Sequence, residues 1–166
     1  MMKTDLVMDF RTDKENNSIY ITREFSADIR TVWDAWTKSE ILDRWWAPQP
    51  YHVETKSFDF SEGGKWLYAM VGPENDIHWS RLDFVRIEPL KEFVGYDAFS
   101  DENGNIDPKM PRSQWTNSFI EKDSITTVIS VLKFDNSADL ETLVKMGFKE
   151  GLSMGYKNLD EVLATL

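Results

Sequence analysis

The sequence predicts an α+β fold in which a curved antiparallel sheet of six or more strands grips a long C-terminal helix. Three observations predict it. Apolar periodicity changes from 2 to 3.6 residues, back to 2 and again to 3.6 along the chain. Short turns rich in Gly, Pro, Asn and Asp separate the central strand-like runs, which favours antiparallel neighbours. The last quarter holds a helical apolar stripe of about six turns.

Leu6 to Arg11 and Ser18 to Phe25 read as strands joined through the polar stretch Thr12 to Asn17, a hairpin. Ile29, Val32, Trp33 and Trp36 then fall on one helical stripe, with Ser26 or Asp28 placed to cap it. The phase slips at Thr37-Lys38-Ser39. A second short helix follows, capped by Ser39 and striped by Ile41, Leu42 and Trp45. Pro48 and Pro50 end it, because proline lacks the backbone donor and restricts its predecessor. Strands are expected at Tyr51–Phe60, Lys65–Val71, Ile77–Ile87, Glu92–Phe99, Gln114–Glu121 and Ile125–Phe134. The loop Ser100 to Ser113 is long and polar, a kind often functional or mobile.

From Leu140 to Leu163 the 3/4 spacing predicts one long helix capped by Ser137 or Asp139, with a break near Gly147 as the alternative. Gly147, Gly151 and Gly155 recur every fourth residue. Each costs a helix about 1 kcal/mol relative to Ala, so close packing against the sheet, or room for a ligand, is expected along that face. On this reading Gly151→Leu destabilises the protein or abolishes ligand uptake.

The 166 residues suit a single domain spanning 1–166. With no cysteine there are no disulfides, thiol nucleophiles or Cys-based zinc sites, and a cytoplasmic location is expected. No apolar run is long enough to span a bilayer, and the N-terminus lacks the apolar core of a signal peptide. A net charge of −10 disfavours nucleic acid and anionic lipid as partners. Aromatic residues make up 13% of the chain and include seven Trp, more than a core of this size needs, which favours a cavity or an interface.

Three stretches carry a family resemblance: Val32-Trp33-Asp34-Ala35-Trp36-Thr37 with Glu40 to Pro48 and its Trp45-Trp46-Ala47-Pro48; Phe58 to Trp66 with Gly63-Gly64, running on to Pro73; and Gly151 to Leu159. The chain resembles bacterial proteins related to the C-terminal domain of the activator of the heat-shock protein 90 ATPase, within the START-like, helix-grip superfamily that includes polyketide cyclases. The resemblance runs from about Ser18 to Leu163 and implies the helix-grip fold. Its chaperone link belongs to longer eukaryotic members with an additional N-terminal domain, for which this chain has no expected room.

No catalytic constellation emerges. His52 and His78 fall on different strands without a placed carboxylate, so no metal is expected. Gly151-Leu152-Ser153-Met154-Gly155 matches a nucleophile-elbow pattern, but inside a helix and not at a strand-to-helix turn. Gly63-Gly64-Lys65-Trp66 leads into a strand and makes no phosphate loop. Trp79, Arg81 and Asp83 form either a polar patch on a cavity wall or a solvated face, and His78, Asp83 and Asp97 are the candidates for any acid–base chemistry. The expected function is binding of an apolar small molecule in a cleft lined by Trp45, Trp66, Tyr68, Met70, Trp79, Arg81, Tyr96, Trp115, Phe148 and Met154, without a cofactor. A protein-interaction module and a cyclase-like enzyme are the alternatives, and the oligomeric state is left open.

Overall fold

The computed structural model describes residues 5–166. Eight strands form one antiparallel sheet: β1 (Met8–Asp13), β2 (Ser18–Phe25), β3 (His52–Phe58), β4 (Lys65–Val71), β5 (Ile77–Glu88), β6 (Glu92–Ser100), β7 (Ser113–Lys122) and β8 (Ile125–Phe134). Their order across the sheet is β1-β2-β8-β7-β6-β5-β4-β3. Four helices join them: α1 (Ile29–Thr37), α2 (Ser39–Trp45), α3 (Ser137–Lys145) and α4 (Phe148–Leu163).

The topology follows from where α1 and α2 sit. They carry the chain from β2 to the far edge, where β3 starts. A meander then returns strand by strand until β8 pairs with β2, with Ile19 opposite Leu132 and Ile21 opposite Ser130. Alternation decides the faces. Ile19, Ile21 and Phe25 of β2 and Val128, Leu132 and Phe134 of β8 are buried beneath the helices. On β5, Phe84 is buried on that side while Val85 is exposed on the other.

Asp28 caps α1, its side chain accepting from Thr31 N at 2.7 Å. The cap of α3 is Asn136, one residue before Ser137 and three before Asp139, accepting from Asp139 N at 2.8 Å. Ser39 is the first residue of α2 and not its cap; Lys38 holds that position without a side-chain bond. The terminal segment is two helices and not one, as the alternative with a break near Gly147 has it. Gly147 separates them in the left-handed region, φ 88°, and its N–H bonds the Val144 carbonyl oxygen at 3.1 Å, closing α3. The apolar 3/4 spacing runs straight across the break, so periodicity alone does not reveal it.

Most rings fill the core. Trp36 packs edge-on against Phe25 at 5.3 Å and lies 4.7 Å from Trp45. Trp33 meets Phe119 at 5.0 Å and Phe93 at 5.9 Å. Tyr156 of α4 packs edge-on against Phe25 at 5.4 Å, and a half-buried ion pair ties the same helix to the sheet: Arg23 donates to both carboxylate oxygens of Asp160 at 3.1 and 2.6 Å.

The three glycines do not line one face toward the sheet. Gly147 is the helix break. At Gly155 a Cβ meets backbone, the carbonyl oxygens of Trp45 at 3.2 Å and Trp46 at 3.4 Å, so α4 lies against the end of α2. At Gly151 a Cβ meets only Pro48 Cγ, at an ordinary 3.7 Å. Gly151→Ala is therefore expected to raise stability by up to about 1 kcal/mol through helix propensity. A urea melt with a higher midpoint and unchanged slope is the expected result.

Candidate functional site

The fold leaves a cleft of about 240 Å³ between the sheet and the helices. Alternation along the strands sets its floor. Tyr68 and Met70 of β4, Ser80 of β5, Asp97 and Phe99 of β6 and Trp115 of β7 all lie on the helix-facing side. Trp46 and Pro48, just after α2, form one wall, and Leu143, Met146, Phe148, Gly151 and Leu152 form the other. Phe148 meets Trp115 edge-on at 5.8 Å, and Trp46 lies 5.9 Å from Trp115. The break at Gly147 matters here, because it turns α3 so that Leu143 and Met146 border the cleft together with Phe148 of α4.

The polar groups gather on the floor. Asp97 accepts from Ser113 N at 2.7 Å and Ser113 Oγ at 3.0 Å through Oδ1, and from Trp115 Nε1 at 2.8 Å through Oδ2. Burial raises its carboxyl above the ordinary carboxylate value, and those three donors offset only part of the rise. The Tyr68 hydroxyl accepts from Trp46 Nε1 at 3.0 Å. Burial likewise pushes this phenol above its ordinary value, and nearby Asp97 adds to the effect. His78 stands at the mouth, its ring 2.9 Å from Asp76 Oδ1, and Asp76 also accepts from the Tyr51 hydroxyl.

Asp97 gives a pH prediction. Its raised carboxyl binds more protons in the folded state than in the unfolded one. Unfolding free energy therefore falls as pH rises from the ordinary aspartate range through Asp97's own titration. Asp97→Asn is expected to remove that component of the slope, as read from urea melts across the acidic range.

Of the residues expected at the site, the structure brings Tyr68, Met70, Trp115 and Phe148 together around the cleft. The other six stand elsewhere. Trp45 is buried in the core, donating to the Ala35 carbonyl at 2.9 Å. Trp66 lies behind Tyr68, rings stacked at 3.9 Å, and donates to Thr55 Oγ1. Trp79 and Arg81 occupy the outer face of β5, being odd-numbered where Ser80 points to the helices. Lys56 lies 5.8 Å above the Trp79 ring. Arg81 is engaged by both oxygens of Asp83, at 3.1 and 2.6 Å, and by the Gly104 carbonyl. Tyr96 is exposed on the same outer side, next to Arg112. Met154 is exposed on α4. The Trp79–Arg81–Asp83 face is thus an outer face and no wall of the inner cleft.

A larger hollow, about 380 Å³, lies on that outer face around Ser57, Asp59, Gly64, Lys65, Arg81 and Asp83. It is wide and polar, and its arginine is already satisfied by Asp83 and Gly104. The smaller inner cleft is the better candidate because it combines aromatic walls with a few convergent polar groups. Sequence reasoning missed Trp46, Ser80 and Phe99 as lining residues and gave Asp97 no place in the cleft. The Trp45-Trp46 pair was assigned by helical stripe, which favours Trp45. The even–odd phase of β5 and β6 needed the register to fix it. Among the described residues no group of His, Asp and Glu is placed to hold a metal ion, and no helix is long and apolar enough to cross a membrane.

This sheet, with its helices and cleft, defines the START-like, helix-grip class. Residues 26–164 match the family described as Activator of Hsp90 ATPase homolog 1-like protein, and the chain belongs to that family. Solved structures of bacterial proteins share the fold over nearly the whole chain. One from Arthrobacter aurescens is 26% identical, with a TM-score of 0.89, covering 95% of this chain and 92% of that one. One from Staphylococcus epidermidis is 29% identical, with a TM-score of 0.83, covering 95% and 94%. Protein Ms6760 from Mycobacterium smegmatis is 24% identical, with a TM-score of 0.87, covering 96% and 97%. No curated protein matches the sequence.

Proposed function

We propose that this protein binds a small, largely apolar molecule in the cleft between the sheet and the helices α3 and α4. The observation that supports the reading is the cleft itself. Its 240 Å³ corresponds to roughly eight waters at about 30 Å³ each. That is below the roughly 300–1,000 Å³ typical of sites for drug-sized ligands, so a molecule of one or two rings is the expected occupant. Trp46, Tyr68, Trp115 and Phe148 offer it aromatic surface on several sides.

Gly151 gives a direct test. A leucine there projects past Pro48 toward the cleft, while the helix gains propensity. Gly151→Leu is expected to weaken binding of a fluorescent hydrophobic dye at least about tenfold, a loss of about 1.4 kcal/mol. Gly151→Ala should bind as the parent does. Equal dye binding by Gly151→Leu, Trp46→Ala and the parent would place the apolar surface elsewhere and favour a protein-interaction role.

A further inference from the structure

We infer, resting on the reading that this cleft takes a small molecule, that its preferred ligand is an organic ammonium ion whose apolar body lies among the aromatic rings and whose N–H bonds to Asp97. The inference begins from a carboxyl that no ammonium or guanidinium group bonds among the described residues, Arg112 acting on it through space alone. Asp97 is the one carboxylate on the floor of the cleft, and no lysine or arginine lines that cleft among the described residues. The guanidinium of Arg112 bonds the backbone oxygen of Asp97 at 3.1 Å and reaches Asp83 at 3.5 Å, on the far side of the sheet. The single imidazole, His78, is at the mouth and is held by Asp76.

The acceptor capacity of Asp97 is not used up. A carboxylate offers about four lone-pair positions. Oδ1 takes two bonds from Ser113, while Oδ2 takes one, from Trp115 Nε1. One position on Oδ2 is left for a ligand. The backbone N–H of Ser113 and the indole N–H of Trp115 cannot reverse their roles, so the carboxyl is fixed as an acceptor at both oxygens.

The walls suit the same ion. Trp46, Trp115, Tyr68 and Phe148 surround the floor, and aromatic faces attract an ammonium ion through their quadrupole, more strongly when water is excluded. An anionic ligand meets the opposite conditions: a like charge on the floor, negative ring faces on the walls and a net charge of −10 on the whole protein. A neutral alcohol can bond Asp97 but lacks the charge assistance. A cation in the cleft offsets the burial that disfavours an ionised Asp97.

A matched series of phenethylamine, phenethyl alcohol and phenylacetate tests this by competition against a hydrophobic dye already bound to the protein, with calorimetry as a second readout. The expected order at neutral pH is amine first, alcohol about tenfold weaker, and phenylacetate weakest. Asp97→Asn should reduce the amine's advantage over the alcohol to less than about threefold, each competitor being referred to the variant's own dye affinity. Should that variant fail to fold, the order on the parent protein decides alone. Displacement of the dye by the alcohol or phenylacetate at the same concentration as the amine, or a lower one, overturns the ammonium assignment. So does a bound dye that none of the three displaces, with the apolar cleft itself still standing. A parent protein that binds no dye removes the cleft reading and the ammonium assignment with it.

Discussion

Trp45→Ala is expected to lower the free energy of unfolding by about 3–5 kcal/mol, the range for removing a large buried aromatic side chain, and to leave the ligand preference of any remaining folded protein unchanged. Trp45 is 1% exposed, and it is in ring contact with Trp36, Trp46 and Tyr156. Its indole N–H donates to the Ala35 carbonyl, so truncation also leaves that buried oxygen without its partner. The adjacent residue should behave in the opposite way. Trp46 is only half-buried and borders the cleft. Trp46→Ala is expected to cost less stability than Trp45→Ala and to weaken dye binding at least about tenfold. Urea melts and dye titrations on the two variants separate core from site across one peptide bond.

The second large effect lies at the joint between α4 and the sheet. Asp160→Ala is expected to destabilise by about 3 kcal/mol. That is the low end of the range for breaking a buried ion pair, because the aspartate side chain is partly exposed. The asymmetry of the pair sets the size. The Arg23 side chain is 9% exposed and the Asp160 side chain 37%. Without Asp160 the guanidinium keeps the Glu24 carbonyl at 2.6 Å and its positions over the Phe25 ring at 4.7 Å and the Tyr156 ring at 5.9 Å. Arg23→Met, which removes the charge and fills similar volume, should cost less than Asp160→Ala. The contrary order in urea melts would mean that α4 is held by its apolar face alone.

Strand positions were legible because β2 and β8 carry alternation and β4 is a short apolar run, each bounded by strong turn signals, and their bounds agree with expectation to the residue. Helices α1 and α2 were legible from the slip in stripe phase at Thr37-Lys38-Ser39. Two features of the cleft were not. The left-handed residue at Gly147 interrupts the backbone without interrupting the apolar spacing, so the glycine offers a break there only as an alternative to one long helix and does not show that the break shapes a wall. The facing of β5 is the other. His78 to Asp83 carries polar or aromatic groups on both sides, and nothing in the composition says whether Ser80 or Arg81 points inward. The bulge in the pairing of β5 with β6, between Phe84 and Arg86, shifts the register within that strand as well. Asp97 was legible as an acid–base candidate but not as a lining residue of the cleft. It becomes conspicuous only once β6 and β7 are paired and Trp115 and Ser113 are seen to donate to it.

The central claim is that the inner cleft, and not the wider hollow on the outer face, receives a small molecule. Indole N–H signals in a ¹⁵N–¹H spectrum test it most directly, since Trp46 and Trp115 border the cleft, Trp33 is in the core and Trp79 is on the outer face. On titration with phenethylamine, the Trp46 and Trp115 indole signals should move together along one binding curve, while Trp33 and Trp79 stay in place. A titration that moves Trp79 and leaves Trp46 and Trp115 unchanged would contradict the account.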